Sequence, residues 1–453
     1  MSTGSYHESV RFDSSRATVA EVMSGSGIST TSRAASDRLW HLVIWGATGF
    51  TGRLVAETMA RRYGGNPAVR WAIAGRDRGK LEKVRDDLGR VCERARDVPI
   101  VIADSGDRAS LDALARDTRV VASAVGPFAV HGAELVGACV AAATDYCDIT
   151  GETPFVREMI DRYHGQARAT GARIVHCCGY DAIPSDLGTL MIQTHMRKTH
   201  ATHCRVVKYF ACETRGGLSG GTIASVIALS EAASSDPRVR RLLRDPYSLD
   251  PEHAGVGPDG PDARGVHWDD DVGGWTAPFT MAAVNTRVVR RTNALLGYAY
   301  GHDFRYSEMT SLGPGAGGWL AAMAVSAATA GIRATMRFPA VARLAARALL
   351  PAPGQGPSRR TREAGRFTSR LVGLASVDRA HATKVFAVVR GVSDPGYGET
   401  AKMLVESAVC LAMDREAIAH EGGVLTPAAC MGMRLVERLR DAGMTFETST
   451  TPI

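Results

Sequence analysis

Lysine is scarce in this 453-residue chain: of 54 basic residues only Lys80, Lys83, Lys198, Lys208, Lys384 and Lys402 are lysine. With a formal charge of +7 and no recognition motif, nucleic acid is not among the expected partners. Paired cysteines are lacking too. The nine cysteines (92, 139, 147, 177, 178, 204, 212, 410 and 430) contain no CxxC and no Cys/His spacing suited to a metal. An odd, scattered set reads as reduced thiols in a cytoplasmic protein, and adjacent Cys177 and Cys178 read as core or near-site residues rather than a redox pair. Residues 1–38 have no apolar run of the kind that marks a secretory signal; rich in Ser, Thr, Gly and Arg, they read as a disordered tail. The uncharged stretch GGWLAAMAVSAATAGI (317–332) is short for a bilayer. What remains is ordinary for a globular protein, 45% hydrophobic and 22% charged, with length enough for two domains.

The most informative stretch is HLVIWGATGFTGRLVAE (41–57). Leu42 to Trp45 suit a parallel strand buried on both faces, and the residues after Thr51 suit a helix with Leu54, Val55, Thr58 and Met59 on one side. Between them lie Gly46, Ala47, Thr48, Gly49, Phe50, Thr51 and Gly52. Gly46 permits a tight turn, Gly49 a close approach of ligand to backbone, and Gly52 close helix–strand packing. Free N–H groups at such a helix start attract an anion, most often a pyrophosphate. The spacing is GxxGxxG rather than GxGxxG, and a plain structural turn is the competing reading.

A second strand, Trp71 to Ala74, ends in Gly75 and Arg76, with Lys80 one helical turn on. NAD-binding enzymes usually place an acid here to hold the ribose 2′-hydroxyl. A cation instead suits a 2′-phosphate, so Arg76 and Lys80 predict NADP(H) rather than NAD. A solvated basic helix start is the alternative.

Strand–helix alternation continues to about residue 180, through strands ending at Asp104, at Val125–Gly126–Pro127, at Ile149, and in ARIVHCCGYDAIPSD. This predicts an α/β fold, a Rossmann-type doubly wound parallel sheet, with ligands at the carboxyl ends of its strands. The expected crevice joins Gly46–Gly52, Arg76, Ala124–Phe128 and Gly179–Ser185. Beyond residue 200, HCRVVKYFACET, WTAPFTMAAVNTRVVRRT and TKVFAVVRGV read as strands of a second, α+β domain. The expected boundaries are 1–38 tail, 39–190 NADP-binding domain, 191–394 substrate or partner domain, and 395–447 helices packing back on the first domain.

The stretches GATGFTG, SAVGPF, HGAELVGACVAAATDYCDITGE and GYDAIPSDLG together resemble the saccharopine dehydrogenase-like oxidoreductases. SGGTIAS, WTAPFTMAAVNTRVVRRTNALLGYAYG, DPGYGETAKMLVESAVCLA and GGVLTPAACMG are similar to one branch of that family, the trans-acting enoyl reductases of polyketide lipid synthesis. The resemblance covers about residues 40–447. It implies an NADPH-dependent reductase of enoyl thioesters carried on a polyketide synthase or acyl carrier, or of a lipid-like substrate. A saccharopine-type amino-acid dehydrogenase and a non-catalytic, lipid-associated NADP-binding protein are the alternatives. No arginine or lysine clamp for an α-carboxylate stands out in the sequence.

Enoyl reduction needs hydride at the β-carbon, donors for the developing enolate oxygen, and a proton at the α-carbon; a catalytic triad is not required. Tyr180 and Asp181 are the candidate catalytic residues. The branch commonly carries Phe where Tyr180 stands, and Asp181 and Asp186 are also placed to cap a helix beginning near Ser185. Asp148 and Glu152 are split between site and structure, and His131 is a weaker acid candidate.

Residues 333–370 hold nine arginines against one acid, Glu363. Arg333, Arg337, Arg343 and Arg347 recur at helical spacings. A solvated helix face, a peripheral membrane contact and a docking face for an acidic carrier compete as readings. The composition is compatible with an oligomer and does not specify one.

Overall fold

In the computed structural model, residues 38–217, 220–251, 257–335, 338, 355–378, 382–419 and 421–453 are described. Strands β1 (Trp40–Trp45), β2 (Trp71–Gly75), β3 (Ile100–Ile102), β4 (Thr118–Ser123), β5 (Asp145–Asp148) and β6 (Arg173–Val175) form a parallel sheet in the order 6-5-4-1-2-3. Leu42 pairs with Trp71 on one side and Val120 on the other. Leu42, Val43 and Ile44 are buried because helices cover both faces, which is why this strand is a continuous apolar run. Two of the connecting helices start on aspartates: Asp77 accepts from Lys80 N at 3.0 Å, and Asp107 from Ala109 N at 3.1 Å.

The second sheet contains β7 (Val206–Arg215), β8 (His267–Asp269), β9 (Gly274–Pro278), β10 (Arg305–Ser311), β11 (Arg366–Leu374) and β12 (Lys384–Gly391). The pairing of β7 with β10 is parallel and the others are antiparallel. Tyr209, Leu371 and Val389 join the core shared with the Ile183–His200 helix, while Phe210, Met309 and Val372 form a separate cluster. Two further strands lie late in the chain. β13 (Gly423–Leu425) adds to the first sheet beside β6, and β14 (Thr445–Ser449) adds to the second beside β12. Between β12 and β13 the Thr400–Met413 helix packs on the Phe50–Tyr63 helix and on β4 and β5. The Pro427–Asp441 helix packs on the Ile183–His200 helix.

Two local readings of the sequence need correction. Of WTAPFTMAAVNTRVVRRT only Gly274–Pro278 is strand; Ala282–Leu295 is a helix. Its β-branched residues mislead because the helix is buried nearly all round, arginines included. Arg287 reaches Asp262 at 2.5 Å, Arg290 reaches Asp259 at 2.8 Å, and Arg291 donates to the Val424 carbonyl at 2.6 Å. Arg38, assigned to the tail, is instead 4% exposed and donates to the carbonyls of Thr118 at 2.6 Å and Ala142 at 2.5 Å. Satisfying those carbonyls fixes the entry into β1.

Gly315–Thr335 is a 21-residue helix long and apolar enough, by length and composition, to cross a membrane. It packs along β9, with Gly318 and Ala322 buried. Arg333 is exposed at its end; Arg337, Arg343 and Arg347 lie outside the described residues.

Candidate active site

The glycine turn forms at the carboxyl end of β1, where Gly46 N and Gly49 N donate to Ala74 O and Gly46 O, each at 3.0 Å. Gly46 has φ +85°, and a Cβ on it would stand 2.3 Å from Val125 Cγ2, so the Val125 side chain packs directly on the Gly46 backbone. Gly52 is needed for a different reason: its Cβ would stand 2.0 Å from Gly46 O. Gly49 is exposed, has φ −75°, and its Cβ would meet only Gly46 O at 3.4 Å. Among the described residues no contact demands glycine at 49; the space that a larger side chain would fill lies over the start of the Phe50–Tyr63 helix. That start carries no side-chain cap and no acid in its first turn. Its first-turn amides and the positive end of the helix suit a pyrophosphate. Ala47 is buried beneath the turn, while Thr48 is half-buried and Thr51 partly covered at its surface.

Arg76 leaves the end of β2 exposed to solvent, and no ion pair involves it among the described residues. Lys80 is 71% exposed and turns toward Asp77 at 3.6 Å, so the two cations differ in freedom. Beside the turn, Val125 and Pro127 are half-buried and Gly126 is exposed. Glu152 holds this strand end in place. It accepts from Phe128 N at 3.0 Å, Ala129 N at 2.9 Å and Ser225 Oγ at 2.7 Å, so the Gly220–Ser235 helix also contributes to this side of the crevice. Asp148 is wholly buried, bonded to Tyr146 Oη at 3.0 Å and His176 Nδ1 at 2.7 Å. These bonds give both acids structural work. His131 ends the short helix Phe128–His131 and is half-buried.

Tyr180 and Asp181 follow β6 and face different surroundings. Tyr180 N donates to Thr400 Oγ1 at 3.1 Å, and its ring meets Phe367 edge-on at a centroid distance of 4.9 Å. Its hydroxyl lies 3.5 Å from Thr214 Oγ1, and burial pushes the phenol up to about 12. Asp181 is half-buried, with no hydrogen-bond partner among the described residues. A Cβ on Gly151 would stand 3.0 Å from its Oδ2 and 3.9 Å from Val284, which puts the carboxyl where β5, β6 and the second domain meet. Loss of water pushes Asp181 up to about 6.

The Pro395–Glu399 turn joins these parts. Thr400 donates to Pro395 O at 2.8 Å, and Tyr397 meets Phe50 edge-on at 5.2 Å. The Arg362 guanidinium lies 5.6 Å from the Phe50 ring, so Phe50 of the glycine turn is in contact with both Tyr397 and a second-domain arginine. Asp394 fixes the turn by accepting from Tyr397 N and Gly217 N, both at 2.8 Å.

Where the start of the Ile183–His200 helix meets β10 and the Ala282–Leu295 helix lies a buried polar group that the sequence did not reveal. Glu308 accepts from Tyr306 Oη at 2.8 Å and Asn285 Nδ2 at 3.0 Å; Asn285 also donates to Ser185 Oγ at 3.1 Å. Burial pushes Glu308 up to about 7. Asp186 accepts from Thr292 Oγ1 at 2.5 Å and Ala428 N at 2.8 Å, and burial raises it to about 7 as well. Asp186 therefore joins three remote segments. Of these groups Ser185 and Asp186 lie in GYDAIPSDLG, Asn285 and Thr292 in WTAPFTMAAVNTRVVRRTNALLGYAYG, and Glu308 and Tyr306 in none of the family-like stretches.

No family model matches the chain. Among individual proteins, a Mycobacterium tuberculosis protein assigned provisionally to the trans-acting enoyl reductases is 42% identical over 432 residues, which are 92% of this chain and 99% of that one. A trans-acting enoyl reductase of Mycobacterium bovis is 39% identical over 424 residues, covering 91% of this chain and 99% of its own length. Of solved structures, the apo saccharopine dehydrogenase (L-Glu forming) of Saccharomyces cerevisiae aligns over 90% of this chain and 99% of its own, at 13% identity and a TM-score of 0.48.

Proposed function

The chain belongs to the trans-acting enoyl reductases, and from that premise we propose that it reduces the carbon–carbon double bond of an enoyl thioester with NADPH. The acyl chain would be presented by a separate polyketide synthase or acyl carrier, as the trans-acting description of the relatives suggests. The observation that carries the cofactor assignment is the pairing of an uncapped helix start at Gly49 with a solvent-facing arginine one strand away. The backbone from Gly46 to Gly52 would hold the pyrophosphate, Arg76 the 2′-phosphate with Lys80 beside it, and Val125, Gly126 and Pro127 would flank the nicotinamide end.

NADPH supplies hydride for the β-carbon of the substrate. The chain must then place a proton at the α-carbon and exclude bulk water. Asp181 suits the protonation, because near neutrality its raised carboxyl still holds a proton for part of the time and no neighbouring donor among the described residues fixes it in the ionised form. Tyr180, with its hydroxyl turned toward Thr214, suits the exclusion of water by walling the crevice against the second sheet. The buried groups Ser185, Asn285 and Glu308 would position the segment that carries Asp181.

The test is direct. Purified protein, NADPH and an enoyl chain on its carrier should yield a product heavier by two hydrogens as NADPH is consumed. An intact double bond with both carrier-bound and free enoyl thioesters overturns the assignment.

A further inference from the structure

No charged residue occurs between Glu308 and Arg333, an interval that contains almost all of the Gly315–Thr335 helix. A soluble surface helix normally pairs an apolar inner stripe with a polar outer face. This one has an inner stripe, with Gly318, Ala322 and Thr329 buried, yet its outer face is apolar too. Trp319, Leu320 and Met323, which share one face by helical spacing, are between 41% and 61% exposed, and the residues after them up to Ile332 are mainly alanine and glycine. At the end of this face a cavity of about 320 Å³ is lined by Arg264, Pro278, Ser326, Thr329 and Arg333. Two guanidinium groups therefore stand at the edge of an exposed apolar surface, with no acidic side chain in the lining among the described residues.

We propose that this face docks on an anionic lipid layer, with the helix lying in the plane of the layer and Arg264 and Arg333 at headgroup level. Hydrocarbon matches a whole uncharged helical face, and the phosphates of anionic headgroups match the two arginines. An acidic protein would answer the arginines while leaving the apolar face unmatched. A second copy would match the apolar face while bringing like charges together. The inner stripe holds the helix along β9, so docking requires no separation from the second sheet. The proposal stands independently of the reaction catalysed.

The test is flotation of the full chain with vesicles of phosphatidylglycerol and, separately, phosphatidylcholine. Binding should favour phosphatidylglycerol and weaken with salt. The pair Leu320→Glu and Met323→Glu should lower partitioning at least tenfold, with an unchanged melting temperature as the control for folding. The pair Arg264→Glu and Arg333→Glu should reduce binding to the phosphatidylcholine level. As a second readout, Trp319→Phe should remove quenching of tryptophan fluorescence by brominated acyl chains. Failure of the unmodified protein to float, or flotation indifferent to the 320/323 pair, overturns the proposal. So does finding that the pair abolishes only self-association or only capture by an acidic carrier.

Discussion

A Cβ on Gly52 would lie 2.0 Å from the carbonyl oxygen of Gly46, while a Cβ on Gly49 would meet that same oxygen at 3.4 Å. One glycine is required by the fold, and the other leaves open space over the helix start, where the proposed cofactor would lie. Gly52→Ala should therefore destabilise the protein by about 3 kcal/mol or more, read from its urea midpoint, because the helix start must move. Gly49→Val should fold normally, since φ −75° and ψ 166° suit valine, yet lose NADPH affinity by about a hundredfold or more. A folded Gly49→Val variant that binds NADPH normally would place the cofactor elsewhere.

Arg76 and Lys80 should contribute unequally. Arg76 is unpaired among the described residues, whereas Lys80 already faces Asp77. Removing a charge-assisted contact costs about 1.5–3 kcal/mol, so Arg76→Ala should weaken NADPH about tenfold to a hundredfold and leave NADH nearly unchanged. Calorimetry with both cofactors checks this; equal affinities in the unmodified protein would contradict it.

Asp181→Asn should reduce turnover about a hundredfold while leaving NADPH binding intact. As the proton-bearing form is the active one, the rate of the unmodified enzyme should fall as pH rises through about 6. The asparagine variant should lose that limb of the profile. An unaltered profile would remove Asp181 from the reaction.

Glu308 allows a separate measurement of stability. Its usual value of 4.5 is raised to about 7 on folding, so the folded protein keeps a proton that the unfolded chain releases. This stabilisation is complete below about pH 4.5 and is lost as pH rises through about 7. Relative to the unmodified protein, Glu308→Gln should gain stability of the order of 3 kcal/mol between about pH 4.5 and 8. Urea midpoints at the two ends of the range test it, and an unchanged difference would mean that water or a cation reaches the carboxyl.

The first sheet was legible because strand and helix signals alternate from β1 to β6, with β1 and β2 as clear apolar runs. β13 was not: Gly423–Leu425 is too short to show a period, and its place beside β6 depends on a pairing about 250 residues apart. The Ala282–Leu295 helix was misread because its arginines find acids and carbonyls far away in sequence, and a buried arginine looks like a surface one until its partner is known. The glycine turn and Arg76 could be singled out in the sequence because both follow directly on apolar strands. Glu308 could not, since its environment is assembled from β10, the Ala282–Leu295 helix and the start of the Ile183–His200 helix.

The placement of β13 and β14 has a consequence for biosynthesis. The first sheet lacks its edge strand until residue 425 has been made, and the second lacks β14 until residue 449. Both halves therefore wait for the last part of the chain to leave the ribosome, although the glycine turn emerges early. A nonsense codon near 420 would leave two open sheet edges rather than one intact half, and such a product should go to proteolysis or aggregation.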